Sequence, residues 1–249
     1  MKDYILECCV DSVESAICAA NGGASRLELC SNLPIGGTSP DIALVHQIRK
    51  ETDIRIHALI RPRFGDFCYS SYEMEIMKEQ IRMLKQERVE GVVIGVLDAD
   101  GNLNLSAMKD LIVEAEGMSI TLHRAFDMCQ NPFETMEQAI DLGIHTILTS
   151  GQKQSAWEGR ELLAELIAKA NGRIDIMAGA GIGAEVIQKL VPITKGTSYH
   201  MSGKITLDSL MRYRKKEVSM GLPSLSEYEI WQTSEEKVRQ AVKILEEIM

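Results

Sequence analysis

Two hydrophobic periods alternate along the chain. Short runs with alternating or continuous apolar positions predict strands at 4–10, 26–31, 55–62, 91–97, 119–127, 146–151, 175–182 and 195–202, the last being the least regular. Between them, apolar residues recur at helical spacing near 12–23, 40–51, 72–88, 106–116, 132–142, 156–170 and 184–190, with a last helix at 234–248. Met74, Met77, Ile81 and Leu84 share one helical face, as do Leu162, Leu163, Leu166 and Ile167, which marks buried stripes rather than a cofactor site. Helix starts carry their own signals. Ser155 with Glu158 and Thr233 with Glu236 have capping-box spacing, and Ser39-Pro40 and Asn131-Pro132 each set a cap before a proline.

Strict alternation of strand and helix implies parallel strands joined by crossover helices. Eight strands favour closure into a (β/α)8 barrel over an open sheet, and no G-x-G-x-x-G follows the first strand. The predicted organisation is a single α/β barrel domain over residues 1–249. One stretch breaks the rhythm: a long connection at 203–233 carrying Lys204, Arg212, Arg214, Lys215 and Lys216. A connection of that length is expected to be a lid, an oligomer contact or a solvated excursion.

Side chains alternate along a strand, so each strand has two faces. Leu6, Cys8 and Val10 lie opposite Glu7 and Cys9. Leu27 and Leu29 lie opposite Glu28 and Cys30. Ile56, Ala58 and Ile60 lie opposite His57, Leu59 and Arg61, and Ile120 and Leu122 lie opposite Thr121 and His123. The apolar faces should pack beneath the helices, which turns the mixed faces into the barrel. Glu7, Glu28, His57, Arg61, His123 and His200 then converge on one axis. Buried charges need partners, so Arg61 and the histidines are expected to pair with the glutamates. A purely structural ionic core competes with a functional reading of these groups.

Charge and composition narrow the options. With 27 basic and 36 acidic side chains the net charge is -9, which argues against unspecific binding to nucleic acid or anionic membranes. No apolar run approaches the length needed to cross a bilayer, and the first residues lack a secretory h-region, so a cytoplasmic protein is expected. The six cysteines form no C-x-x-C pair and should be free thiols in a reducing compartment.

The pattern E-x-C recurs at Glu7-Cys8-Cys9 and Glu28-Leu29-Cys30. If the first two strands pair in near register, Cys9 and Cys30 sit side by side near the mouth, where two thiolates would suit a soft ion such as Cu(I). The neighbouring glutamates would raise the thiol pKa values, and an arginine or imidazolium would lower them. Two loop clusters suit an anion instead. Arg61-Pro62-Arg63-Phe64-Gly65-Asp66 offers two guanidinium groups, and Ala178-Gly179-Ala180-Gly181 brings backbone N–H groups of Gly179 and Gly181 to a helix start.

The runs Glu7-Cys8-Cys9-Val10-Asp11-Ser12, Glu28-Leu29-Cys30-Ser31, Gly36-Gly37-Thr38, Ile60-Arg61-Pro62-Arg63 and Gly65-Asp66-Phe67 resemble the CutC copper-homeostasis family. So do Thr121-Leu122-His123-Arg124-Ala125-Phe126-Asp127, Leu148-Thr149-Ser150-Gly151 and Tyr199-His200-Met201-Ser202. The likeness spans nearly the whole chain. It implies a TIM-type barrel, a cytoplasmic homo-oligomer (dimer or tetramer), and a part in copper control, with the thiols matching Cys9 and Cys30 implicated in Cu(I) binding in some relatives. Two positions depart from the family pattern: Ala180 stands where a glycine is common, and Met201 where some relatives carry cysteine.

Two functions follow as expectations. In the first, Cys9 and Cys30 hold or pass Cu(I). In the second, the barrel is an enzyme that acts by acid–base chemistry on a small anionic or phosphorylated metabolite. Glu7, Glu28, Arg61, His123, Asp127 and His200 would then be catalytic, and Arg61, Arg63, Gly179 and Gly181 would hold the anion.

Overall fold

A computed structural model describes residues 4–215, 217, 218, 220–222 and 225–249. Eight parallel strands close into a barrel in sequence order, β1 pairing with β2 on one side and β8 on the other. They are β1 (Ile5–Val10), β2 (Arg26–Leu29), β3 (Arg55–Leu59), β4 (Gly91–Ile94), β5 (Ser119–Leu122), β6 (Thr146–Thr149), β7 (Asp175–Ala178) and β8 (Ser198–Met201). The outer helices are α1 (Val13–Asn21), α2 (Ile42–Glu51), α3 (Ser71–Gln86), α4 (Leu105–Glu114), α5 (Pro132–Asp141), α6 (Arg160–Ala170), α7 (Ala184–Thr194) and α8 (Glu235–Ile248). α8 packs on both α7 and α1, which closes the helical ring.

The two faces of the sheet fall as their parity requires. Leu6, Cys8, Val10, Leu27, Leu29, Ile56, Ala58, Ile60, Ile120 and Leu122 are buried with the helices' apolar stripes, including Met77, Ile81, Leu84, Leu163 and Leu166. A separate small cluster of Cys30, Leu59 and Val93, with Cys9 and Leu33 against it, lies on the other face, inside the barrel. The pleat alone explains this division.

Several element ends differ from the sequence expectation. β5 stops at Leu122, because the His123 side chain accepts the Ala125 N–H at 3.1 Å and turns the chain into a 3-10 helix over Arg124–Met128. α2 is capped by Asp41 rather than Ser39, whose hydroxyl instead accepts the Arg61 N–H and donates to Gln80. α8 is capped by Ser234, while the Thr233 hydroxyl donates to the Ser202 carbonyl at 3.0 Å. Ser155 does accept the Glu158 N–H, but α6 begins only at Arg160. Gly159 lies so close to the β6 turn that an added Cβ would sit 1.9 Å from the Ser150 carbonyl oxygen. Asn131 caps α5 as expected.

The connection after β8 contains two further strands, β9 (Lys204–Asp208) and β10 (Glu229–Thr233), paired antiparallel. Its root is tied to the barrel by the bond from Thr233 N–H to the Ser15 hydroxyl, 3.1 Å. Farther out, Leu210, Met211, Tyr213 and Met220 are exposed. Of the five basic residues expected there, Lys216 lies outside the described residues. No helix among the described residues is long and apolar enough to cross a membrane.

Candidate functional site

At the centre of the barrel, Glu7 is fully buried, and the register sets it against Arg26 of β2 and His200 of β8. Arg26 Nε donates to Glu7 Oε2 at 2.5 Å, and His200 Nδ1 lies 2.8 Å from Glu7 Oε1. The far ring nitrogen of His200 is 3.7 Å from Glu28 Oε2. Burial opposes charge on Glu7, but Arg26 and His200 outweigh it and hold the carboxyl well below the usual carboxylate range. Burial likewise opposes charge on His200, yet Cys9, Glu28 and Glu7 around it keep the imidazole well above its ordinary value. Glu28 moves the other way: burial raises it, and His200 offsets that only in part.

The expected counter-ion is therefore corrected. Arg26, not Arg61, neutralises the glutamates. Arg26, Glu28 and Cys30 share one parity, and that alternation was the available signal. Arg61 instead donates to the carbonyls of Gly36 (3.1 Å), Gly37 (2.9 Å) and Gly65 (2.8 Å), fastening the loop after β2 to the loop after β3.

Cys9 pairs in register with Glu28, so Cys30 stands two residues farther along rather than beside it. The two thiols are thus not level across the strand pair, as a closed barrel's stagger allows, but both still pack in one cluster and line one cavity. The Cys9 thiol donates weakly to the Met201 carbonyl at 3.7 Å. Cys30 is buried with its sulfur 3.6 Å from Glu28 Oε2, and burial together with that carboxylate pushes its thiol far up. What the register does gather is Cys9, Glu28 and His200, whose ligand atoms all lie within 4.8 Å of one another.

These three residues line a cavity of about 300 Å³ at the C-terminal ends of the strands, which also takes in Cys30, Arg61, His123, Arg124 and Gly181. Phe67 and Arg124, which sequence reasoning did not single out, belong to its wall; Phe67 comes from the loop after β3 and Arg124 from the 3-10 turn. His123 is buried with its ring 4.8 Å from that of Phe67, and burial and then Arg61 lower its pKa to about 3. Gly95 leaves it room, since an added Cβ would approach the ring to 2.5 Å.

Other expected site residues stand elsewhere. His57 lies deeper, paired in register with Glu28 and Gly91, and burial followed by Arg26 lowers it to about 4. Asp127 anchors the β6 turn: its carboxylate accepts from the Thr149 hydroxyl at 2.5 Å, the Ser150 N–H at 3.0 Å and Arg124 Nε at 2.7 Å. Arg63 pairs with Glu73 at 2.6 Å and Asp66 at 3.0 Å, at the capping box that starts α3. Gly179 makes room for Leu148, whose Cδ1 would lie 2.6 Å from an added Cβ.

Comparison with known proteins fits this geometry. The CutC family model matches residues 4–205. A "family protein CutC" of Porphyromonas gingivalis is 45% identical over 244 residues, covering 98% of each chain. The human "Copper homeostasis protein cutC homolog" is 40% identical over 247 residues, 99% of this chain and 90% of that one. The crystal structure of a putative copper homeostasis protein CutC from Streptococcus agalactiae superposes with a TM-score of 0.76 at 28% identity, covering 80% of this chain and 98% of that one. Phosphoribosylanthranilate isomerase from Pyrococcus furiosus superposes with a TM-score of 0.57 at 12% identity, covering 98% and 100%, which is a likeness of fold alone. A match over most of the chain, together with full-length relatives at 40% identity and above, shows that the chain belongs to the CutC family.

Proposed function

We propose that the protein takes up Cu(I) at the barrel mouth, with the Cys9 sulfur as its anchoring donor. The observation that carries this reading is the convergence of Cys9, His200 and Glu28 within 4.8 Å beside an open cavity. Cu(I) favours thiolate and imidazole over oxygen, so Cys9 and His200 are the natural pair and Glu28 a weak third. Glu7 holds the His200 ring in place, as outer partners of metal-binding histidines do. Binding must displace a proton from the raised His200 ring and from the thiol. Cys30 supplies a second thiol only if it leaves Glu28. The six cysteines are all free, which suits a reducing cytosol in which Cu(I) persists.

The other reading, acid–base chemistry on an anionic metabolite, has less support, because Asp127, Arg63 and Gly179 do not line the cavity. The test of the copper reading is anaerobic competition against a chromophoric Cu(I) chelator. Cys9→Ser should lose more affinity than the roughly 10–100-fold typical of losing an outer partner. Cys30→Ser should lose less than Cys9→Ser. Unchanged affinity in the double variant rejects the proposal.

A further inference from the structure

We propose that the wall of the mouth opposite Cys9 is a second subsite, for an organic carboxylate, with the Nε–H groups of Arg61 and His123 as its donors and the Phe67 ring as their cover. It goes beyond the copper reading and uses none of the same ligand atoms.

The donors are defined by what their neighbours already take. His123 Nδ1 accepts the backbone N–H of Ala125 at 3.1 Å, so the neutral ring carries its proton on Nε2. With its pKa lowered to about 3, the ring stays neutral and Nε2 stays a donor. Among the described residues no acceptor meets it. The terminal nitrogens of Arg61 serve the carbonyls of Gly36, Gly37 and Gly65, while its Nε meets no acceptor in bonding geometry among the described residues, although the Tyr69 hydroxyl interacts with the guanidinium. Both residues are more than nine-tenths buried, at 4% exposure for His123 and 8% for Arg61, and both line the cavity. Arg124, on the same wall, adds a guanidinium that it shares with Asp127.

Two such N–H donors, on Arg61 and His123, make an oxygen-rich anion the complement of this wall. Two unmatched N–H groups suit the two oxygens of a carboxylate. Leu33, Leu59, Leu148 and Ile182 give the cavity apolar lining as well, which suits a carbon body rather than an inorganic ion. Access runs past one side chain. The Phe67 ring lies 4.8 Å from the His123 ring and 5.1 Å from the Arg61 guanidinium carbon, so both donors become reachable only when that ring turns aside.

The experiment uses metal-free full-length protein, isotopically labelled at histidine nitrogen, whose five imidazoles are followed by long-range nitrogen–proton correlation. Succinate, benzoate and inorganic phosphate are titrated in separate arms up to about 10 mM, beyond the millimolar affinity expected of ligands this small. The expected result is a saturable shift of His123 Nε2–H with succinate or benzoate and little with phosphate. Phe67→Ala should tighten that binding and Arg124→Gln should weaken it severalfold. A Cu(I) titration of the same sample reads His200 instead, so failure of the copper reading and failure of the carboxylate reading appear on different resonances. The proposal is overturned if neither carboxylate moves His123, if phosphate moves it as strongly as they do, or if Nε2–H exchanges magnetisation with a bound water that the carboxylates do not displace.

Discussion

Inside the barrel, the arc formed by β8, β1 and β2 is built from charge, whereas the arc from β3 to β6 is built from neutral groups. On the first arc Arg26, Glu7, His200 and Glu28 form a chain of ionic contacts around a fully buried carboxylate. The second arc carries His57, Thr121 and His123 beside Leu59, Val93 and Leu148, and burial keeps its two imidazoles uncharged. Histidine is thus pushed in opposite directions on the two arcs. Imidazole chemistry does not decide which: around His57 and His123 burial and then an arginine prevail, whereas around His200 Cys9, Glu28 and Glu7 outweigh burial.

Arg26→Met should break this contrast most severely, since it leaves Glu7 buried with only His200 to neutralise it. Losing one member of a buried pair costs about 3–5 kcal/mol, and chemical denaturation at neutral pH should show a loss of that size. A loss near the ~1 kcal/mol of an exposed pair would mean that the charged arc is wetter than its burial implies.

Acid separates His57 and His123 from His200 by sign. The folded-state pKa of His57 is about 4, below its ordinary value of 6.5. Between those values the unfolded chain holds a proton that the folded chain lacks, so stability falls as pH drops through that window, at about 1.4 kcal/mol per pH unit for each such proton. His123 adds to the same limb and extends it to about 3. His200 acts in the opposite direction: its raised pKa contributes stability that is full below 6.5 and declines as pH rises toward its folded value. Urea titrations across this range should show His57→Gln with a shallower acid limb and an unchanged alkaline limb. An unchanged acid limb would place the His57 ring in water.

The smallest effect concerns the rim after β7. Ala180 adopts φ +71°, a left-handed conformation that glycine takes without penalty and alanine does not. Ala180→Gly should raise the thermal midpoint slightly, by the equivalent of no more than about 1 kcal/mol. A loss of stability would show that the Ala180 methyl contributes packing that outweighs the backbone strain.

Much of this molecule could be read from the pleat. Alternation alone placed Glu7, Glu28, His57 and His123 on the inner face and their aliphatic neighbours under the helices. Partnership was harder to read, because it depends on register. Glu7 meets Arg26 and His200 because β1 is offset by fixed steps from β2 and β8, and nothing in either strand states that offset. The same offsets set Cys9 level with Glu28, two steps from both Cys30 and His200. Charged residues in loops were misread for another reason. Arg63 and Asp127 have the composition of a binding site, yet local turns and caps that need charged groups claim both.

The seam between β1 and β8 also orders events at the ribosome. Arg26 follows Glu7 by only 19 residues, so the emerging chain can neutralise that carboxylate almost as soon as both are made. The imidazole that completes the chain arrives 193 residues after Glu7, with the last barrel strand. Ring closure and completion of the Cys9, Glu28 and His200 cluster are therefore one event, and a nascent chain that ends before β8 carries the Cys9 sulfur and the Glu28 carboxyl without the imidazole that joins them.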